Sequence, residues 1–201
     1  MGRRSIHSPE ELRELIIHST TEIVEQDGLG GLSAREIAKR IGYSPGTLYN
    51  VFENLDDILL TIEARLLDRL AERLTKTDTS GTPQERLLRL TEAYYAFTQE
   101  QPKLWNLLIE HRLPPGQDVP AWYRAKLESL LAPLAEALAP LLTQKDSYAQ
   151  KQAARALWAS VHGMTALSTV TKLSPLTGCA GAALVDDLVS TYLDGLTNRS
   201  A

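Results

Sequence analysis

The side chains that can perform catalysis or bind a metal ion are few in this chain and lie far apart. Its four histidines are His7, His18, His111 and His162, and no two of them have the spacing of a histidine-pair metal motif such as HExxH. The single cysteine, Cys179, lies in a loop-like stretch without a neighbouring base, and no glycine-rich phosphate-binding loop is present. The sequence therefore predicts neither an enzyme nor a metal or cofactor site, and nothing around Cys179 supports a redox role.

The overall composition is that of an ordinary globular protein. Hydrophobic residues make up 43% of the 201 residues, and 21 Lys and Arg face 25 Asp and Glu, which excludes a polybasic nucleic-acid coat. One cysteine excludes a disulfide-stapled scaffold. The longest apolar stretch, residues 130–142, is interrupted by prolines and is too short to cross a bilayer, and no apolar segment follows the N-terminal arginines as in a signal peptide. We expect a cytoplasmic protein without a membrane contact.

Signals for helix starts and ends recur along the chain, and strand signals are missing. Ser8 and Ser33 each have a glutamate three residues later, which predicts two capping boxes. Ser44-Pro45 predicts a helix of about two turns that ends near Phe52, and Asn54 predicts the cap of a long helix. Further helices are expected to start near residues 82, 102, 121, 147 and 180, with Pro133 and Pro140 interrupting the third of these. The fold class is therefore all-α, with about nine helices.

Residues 34–53, AREIAKRIGYSPGTLYNVFE, have the pattern of a helix-turn-helix. Such a motif needs a small residue where its two helices cross, and Ala38 provides it. Gly42 stands where the chain must turn sharply. Leu48 then faces inward to hold the second helix on the first, and the remaining positions of this small core are Ile37, Ile41 and Val51.

The order of these elements resembles the DNA-binding domain of TetR-family transcriptional regulators. The resemblance covers residues 8–74, where GTLY followed by Phe52 is its most specific part, and WASVHG at 158–163 is similar to one subclass of C-terminal domain. It implies a three-helix DNA-binding domain at 1–53 and, joined by a long helix, a helical-bundle ligand-binding and dimerisation domain at 54–201. Because family members commonly have His and Lys where this chain has Val51 and Leu55, fewer phosphate contacts are expected.

The resemblance, together with the polar residues of the motif, gives candidate contacts to double-stranded DNA. Phosphate contacts are expected from Ser33, Arg35, Tyr49 and the backbone amides of 44–46, and base contacts from Ser44, Pro45, Thr47 and Asn50. Four further candidates add positive charge or close backbone approach: Arg3, Arg4, Lys39 and Gly46. Arg40 adds a fifth cation to the same region.

A recognition helix this short reads few base pairs, which implies a homodimer on a palindromic operator. The predicted dimer interface combines a stripe of mostly small residues on the helix expected at 147–172 with apolar positions on the last helix. Its residues are Ala156, Ser160, Gly163, Leu167, Leu184, Leu188 and Tyr192. Aromatic and histidine side chains outside the motif predict a site for a small hydrophobic or aromatic effector: Tyr95, Trp105, His111, Trp122, Trp158 and His162.

The main hypothesis is a repressor that a small-molecule effector releases from its operator. Two alternatives stay open at this point. One is a ligand-dependent activator, and the other is a helical ligand-binding or interaction module without DNA function, which the residues at 51 and 55 keep open.

Overall fold

The computed structural model describes residues 7–78, 80–143, 146–169 and 181–198, and within them every regular element is a helix. The all-α prediction is therefore confirmed. The α-helices are α1 (Pro9–Asp27), α2 (Ala34–Ile41), α3 (Pro45–Leu48), α4 (Leu55–Lys76), α5 (Pro83–Glu100), α6 (Pro102–Glu110), α7 (Ala121–Ser129), α8 (Ala132–Leu138), α9 (Ser147–Thr169) and α10 (Gly181–Asn198). Short 3₁₀ turns follow α1 at Leu29–Gly31 and α8 at Ala139–Leu141. No described helix is long and apolar enough to cross a membrane.

The chain packs as two compact units. The first comprises the described residues of Met1–Leu66 together with Lys103–Tyr123, and the second comprises those of Leu67–Pro102 and Arg124–Ala201. Helix α4 contributes its first half to unit 1 and its second half to unit 2, because the division falls between Leu66 and Leu67. The sequence analysis divides the chain differently, between residues 53 and 54, because it separates the expected DNA-binding part from the expected ligand-binding part. That boundary stays a prediction.

Local capping chemistry explains where the helices of unit 1 begin. Ser8 accepts the amide hydrogen of Glu11, whose carboxylate in turn accepts from the amide of Ser8, as a capping box requires. At α2 only half of the predicted box forms. Ser33 accepts from the amide of Glu36 at 3.1 Å, but the Glu36 carboxylate pairs with Arg40 and Lys39 instead of the Ser33 amide.

The helix predicted from Ser44 to Phe52 is shorter than expected. Its α-helical part covers Pro45–Leu48, and the chain continues through three hydrogen bonds of the tighter i to i−3 type, ending with the amide of Val51 on the carbonyl of Leu48 at 3.2 Å. Gly46, at the second position of this helix, lowers its helix propensity. The Ser44 side chain does not cap the helix, because its hydroxyl lies 2.9 Å from the Thr47 hydroxyl instead of bonding to a backbone amide.

Helix α4 begins as the sequence predicts. Asn54 accepts the amide hydrogen of Asp57 at 2.8 Å, and Asp56 and Asp57 place negative charge at the positive end of the helix dipole. The apolar residues at its helical spacing are all buried: Ile58, Leu59, Ile62, Leu66, Leu70 and Leu74.

In unit 2 the prolines divide the segment predicted at 121–142. Pro133 lies in the first turn of α8, after the end of α7, and Pro140 lies in the 3₁₀ turn that follows. Helix α10 packs on α5 and α9, and α8 packs on α5 and α9 as well. The predicted end of the α9 helix at Lys172, together with Cys179, lies outside the described residues.

Candidate nucleic-acid interface and ligand site

The centre of the predicted helix-turn-helix core forms as its spacing indicates, whereas Ile41 and Val51 are only half-buried. Ile37, Ala38 and Leu48 are almost completely excluded from solvent, with 0%, 1% and 0% of their surface exposed. Gly42 ends α2 with φ of +73°, a left-handed conformation that costs glycine nothing, and the amide of Tyr43 then bonds to the carbonyl of Ala38 at 2.9 Å. These contacts fix the angle at which α3 leaves α2.

Arg13 of α1 holds the end of the α3 segment, a role that the sequence did not suggest. Its guanidinium donates to the carbonyl of Val51 at 2.9 Å and to the hydroxyl of Thr61 at 3.3 Å, and it lies 4.1 Å from the centre of the Phe52 ring. One side chain thus connects α1, the turn after α3 and α4. Val51 has no charged side chain for a phosphate, but its backbone carbonyl is part of this connection.

The candidate DNA contacts that are described lie at the surface of α2 and α3. Exposed residues among them are Ser33, Arg35, Lys39, Ser44, Pro45, Gly46, Tyr49 and Asn50. Tyr49 is the clearest case, since 48% of it is exposed although it is a large aromatic residue. Thr47 is half-buried, and Arg3 and Arg4 lie outside the described residues. The surface is therefore polar and accessible, which a site that contacts phosphates and base edges requires.

Arg40 does not add to the positive charge of that surface. Its guanidinium turns back toward the end of α1, where it donates to the Gln26 side chain at 3.0 Å and lies 3.7 Å from Asp27. It also pairs with Glu36 at 3.4 Å. The expectation that Arg40 joins Arg35 and Lys39 on one cationic face is therefore wrong, because the packing of α2 on α1 offers Arg40 nearer acceptors.

Two of the candidate ligand residues meet in unit 2. The rings of Trp158 and His162 stack with centroids 5.0 Å apart, and His162 Nδ1 lies 2.5 Å from the Tyr94 hydroxyl. Burial lowers the pKa of His162 and raises that of Tyr94, so both groups are neutral at pH 7. The Trp158 indole nitrogen is buried and has no hydrogen-bond partner among the described residues.

A cavity of about 10 Å³ lies beside these rings, close to the space that one water molecule occupies. Its wall is apolar apart from three side chains, and it consists of Leu70, Leu74, Leu90, Thr91, Tyr94, Leu130, Leu134, Trp158 and Val161. Tyr95 is not part of this wall. Its ring lies against Gly181 at the start of α10, where any side chain would collide with it.

The other three candidate ligand residues belong to unit 1. Trp105 is a core residue with 2% exposure, and 45% of Trp122 is exposed on α7. His111 is buried among polar side chains, with Nδ1 at 2.6 Å from Glu63 and Nε2 at 3.1 Å from Asp56. The six residues named from the sequence thus belong to two separately packed units, because aromatic composition does not reveal which helix faces meet.

The candidate dimer residues differ between the two helices. On α9, Ala156, Ser160, Gly163 and Leu167 are all exposed, and nothing lies within 4 Å of the position that a Cβ atom would take at Gly163. On α10, Leu184, Leu188 and Tyr192 are half-buried, and the Tyr192 hydroxyl donates to the carbonyl of Ala153 at 3.0 Å.

Two residues that are absent from the predicted sites had a visible signal in the sequence. Tyr94, and not Tyr95, continues the spacing of the buried Leu87 and Leu90 on α5. Glu63 interrupts the apolar face of α4 between Leu59 and Leu66, and a carboxylate at such a position needs a partner.

Two models of known protein families match this chain. A family model described as "Bacterial regulatory proteins, tetR family" matches residues 16–62, which contain the helix-turn-helix. A second model, described as "Tetracyclin repressor-like, C-terminal domain", matches residues 87–192. The two matches together cover helices of both units.

Similar proteins and solved structures are transcriptional regulators as well. A helix-turn-helix transcriptional regulator of Mycobacterium tuberculosis is 24% identical over 165 residues, which are 82% of this chain and 73% of that protein. A TetR-family regulator of Streptomyces coelicolor has the same fold, with a TM-score of 0.67 over 99% of this chain and 89% of that one, at 19% identity. The structure of Thermus thermophilus FadR, a TetR-family repressor in complex with lauroyl-CoA, matches with a TM-score of 0.66 at 24% identity over 91% of this chain and 94% of that one. This chain therefore belongs to the TetR family, and it is a DNA-binding transcriptional regulator and not an enzyme.

Proposed function

We propose that this regulator is a homodimeric repressor that binds a palindromic operator and releases it when a small hydrophobic or aromatic ligand binds. The observation that carries this proposal is the surface of α2 and α3. Arg35, Tyr49 and Asn50 are exposed there, and their side chains make no hydrogen bond or ion pair within the described part of the chain. Side chains of this kind are available for DNA without any loss of contacts in the folded protein.

The proposed DNA contacts fall into two groups. Arg3, Arg4, Ser33, Arg35, Lys39 and Tyr49 contact phosphates, as do the backbone amides around Gly46. Ser44, Pro45, Thr47 and Asn50 face base edges in the major groove, where an asparagine can pair with adenine and apolar surfaces meet thymine methyl groups. Since residues 51 and 55 lack polar side chains for phosphates, affinity depends more on the first group and falls less steeply with salt than in relatives with more cations.

Dimerisation is proposed through α9 and α10. The exposed small residues Ala156, Ser160 and Gly163 allow a second helix to approach closely, and Leu167 adds exposed apolar surface on the same face. Two copies joined this way present two recognition segments, which must lie about 34 Å apart to enter successive major grooves.

The effector site is proposed at the cavity of unit 2. Its wall includes Leu70 and Leu74, which belong to α4, and α4 continues into the unit that carries the helix-turn-helix. Because the cavity holds only about 10 Å³, a ligand must displace these side chains to enter. It would thereby favour a second position of α4, and a coupling of about 1–3 kcal/mol is typical of such systems.

The first experiment is a fluorescence-anisotropy titration of the full chain with DNA from upstream of its own gene, at several salt concentrations. We expect saturable binding that random DNA does not compete away, with a finite salt slope. Arg35→Gln should weaken binding and reduce the slope by about one unit, whereas Arg65→Gln, a change at an exposed cation of α4, should change neither. Binding no better than to random DNA with all fragments tested contradicts the operator proposal.

Release is tested with lauroyl-CoA as the first probe, because it is bound in the Thermus FadR structure, and with CoA alone as the control. A panel of small aromatic compounds follows. Loss of operator binding with a saturating probe supports induction of this kind. Tighter binding in the presence of a probe contradicts it and favours the activator alternative.

A further inference from the structure

Unit 1 contains a buried polar cluster that DNA contact does not require. Asp56 and Glu63 project from the first turns of α4, His111 directly follows α6, and Tyr123 lies in α7. His111 Nδ1 is 2.6 Å from Glu63 Oε1, His111 Nε2 is 3.1 Å from Asp56 Oδ1, and the Tyr123 hydroxyl donates to Glu63 Oε2 at 2.6 Å. The side chains of His111 and Glu63 are 6% and 4% exposed, so these groups depend on one another for hydrogen bonds.

The geometry favours the charged form of the imidazole. A neutral imidazole has one N–H donor and one acceptor nitrogen, but here both nitrogens of His111 face carboxylate oxygens. Tyr123 donates its only hydroxyl proton to Glu63, so it does not supply the missing hydrogen. With both carboxyl groups ionised, only the imidazolium form donates a hydrogen bond to each of them at once.

The surroundings agree with this cation. Burial by itself disfavours a charged imidazole, but the hydrogen bonds and charges of Glu63 and Asp56 outweigh it and raise the pKa of His111. His111 also follows the C-terminal end of α6, where its amide bonds to the carbonyl of Leu107 and the helix dipole favours positive charge. The titratable groups that face the imidazole are Asp56 and Glu63 from α4, with Tyr123 from α7 behind Glu63.

The two arms of the cluster differ in strength. The arm to Glu63 is shorter, more deeply buried and supported by Tyr123, whereas the Asp56 side chain is 31% exposed and its contact is longer. When His111 loses a proton, its remaining N–H stays on Glu63, and the lone pair on Nε2 then faces the Asp56 carboxylate. The repulsion opens the Asp56 arm first. Among the described residues no group of three or more His, Cys, Asp and Glu side chains has an arrangement that could hold a metal ion.

We propose that Asp56, Glu63, His111 and Tyr123 form a proton-dependent clasp, which ties the first turns of α4 to the connection between α6 and α7. This property is separate from the release of DNA by an effector. It makes the stability of the unit that carries the helix-turn-helix depend on pH.

The sign of the effect follows from linkage. The folded state binds this proton more tightly than the unfolded state does, so the clasp contributes its full stability below about pH 6.5, the ordinary pKa of an unfolded histidine. That contribution is lost as the pH rises through the raised pKa of folded His111.

The test needs neither DNA nor an effector. The ¹⁵N signals of the His111 imidazole are followed through a pH titration of the full chain, and the free energy of unfolding is measured at each pH. We expect imidazolium at pH 7, and a loss of stability with rising pH that His111→Gln abolishes. Asp56→Asn should move the midpoint of the His111 titration to lower pH. His18→Gln, which removes an exposed histidine paired with Glu22 at 3.2 Å, should leave the pH profile of the wild type.

Local opening is read by hydrogen exchange of the His111 and Tyr123 amides, which bond to the carbonyls of Leu107 and Pro120, comparing wild type and Asp56→Asn at the same pH. The variant should exchange faster at low pH and equally fast at high pH, where the wild-type arm is already open. If His111 is a neutral imidazole at pH 7, or if both His111→Gln and Asp56→Asn keep the wild-type pH profile, the proposal is wrong. Should His111→Gln not fold, Asp56→Asn still decides the outcome, because the Asp56 side chain is partly exposed.

Discussion

Tyr49 and Asn50 stand next to each other on the exposed turn after α3, yet they are proposed to contact different parts of DNA. Tyr49→Phe removes one hydroxyl and should weaken binding to every sequence by a similar factor, because a phosphate contact carries no sequence information. Asn50→Ala should instead relax the preference at one base pair, by about 1–3 kcal/mol. Competition with operator variants that change one base pair at a time measures both effects. An unchanged sequence profile for Asn50→Ala would contradict its base contact.

His162 gives a second residue-scale prediction, with the opposite sign to His111. Burial lowers the pKa of His162, so below about pH 6.5 the unfolded state binds a proton that the folded state does not. The free energy of unfolding therefore falls as the solution is acidified. In His162→Gln this part of the acid sensitivity should disappear, as measured by urea unfolding between about pH 7 and about pH 5. The exposed His18→Gln serves as the control. If His162→Gln has the same acid sensitivity as the wild type, the prediction is wrong.

At the scale of helices, Arg13 and Arg65 offer a matched pair, since both link α1 with the first half of α4. The Arg13 guanidinium donates to Val51 and Thr61 and lies over Phe52, whereas Arg65 forms an exposed ion pair with Glu14. Arg13→Met should lower the free energy of unfolding by about 1.5–3 kcal/mol, because a charged hydrogen bond to a backbone carbonyl is lost. Arg65→Met should cost about 1 kcal/mol or less.

The comparison by urea unfolding also separates stability from recognition. Because Arg13 holds the turn after α3, Arg13→Met should weaken operator binding more than Arg65→Met does, even at a temperature where both variants are fully folded. Equal effects of the two variants on both stability and binding would show that Arg13 does not position this turn.

At the scale of the whole molecule, the exposed stripe on α9 is the surface through which dimerisation is proposed. Ser160→Glu places a charge at the centre of this stripe, where a partner helix would bury it without a counter-charge. We expect the dimer to dissociate in analytical ultracentrifugation and operator affinity to fall, while the helix content stays unchanged. Gln84→Glu adds the same charge at an exposed position of α5 and should leave the proposed dimer intact. A wild-type monomer at micromolar concentration would contradict the proposed interface.

Much of the architecture follows from signals that act within one helical turn. Ser8, Asn54 and Pro133 set element boundaries through the nearest amides or through a fixed φ, and Gly42 ends α2 because it alone accepts the left-handed conformation there without strain. Apolar residues at helical spacing gave the buried face of α4. These interactions depend on neighbours within about four residues, so the sequence by itself determined most helix boundaries, the buried centre of the helix-turn-helix and the family, but not the early end of α3.

The tertiary structure alone decided which polar side chains meet. His111 contacts Glu63 across 48 residues, Arg13 contacts Val51 across 38, and Arg40 turns to Gln26 instead of the surface proposed to contact DNA. Which partner such a side chain finds depends on the angle and register at which helices pack, and these are set by the sum of many apolar contacts that carry no local label. For the same reason the aromatic inventory predicted six ligand residues, whereas packing brought Trp158 and His162 together with Tyr94 and left Trp105, His111 and Trp122 in the other unit.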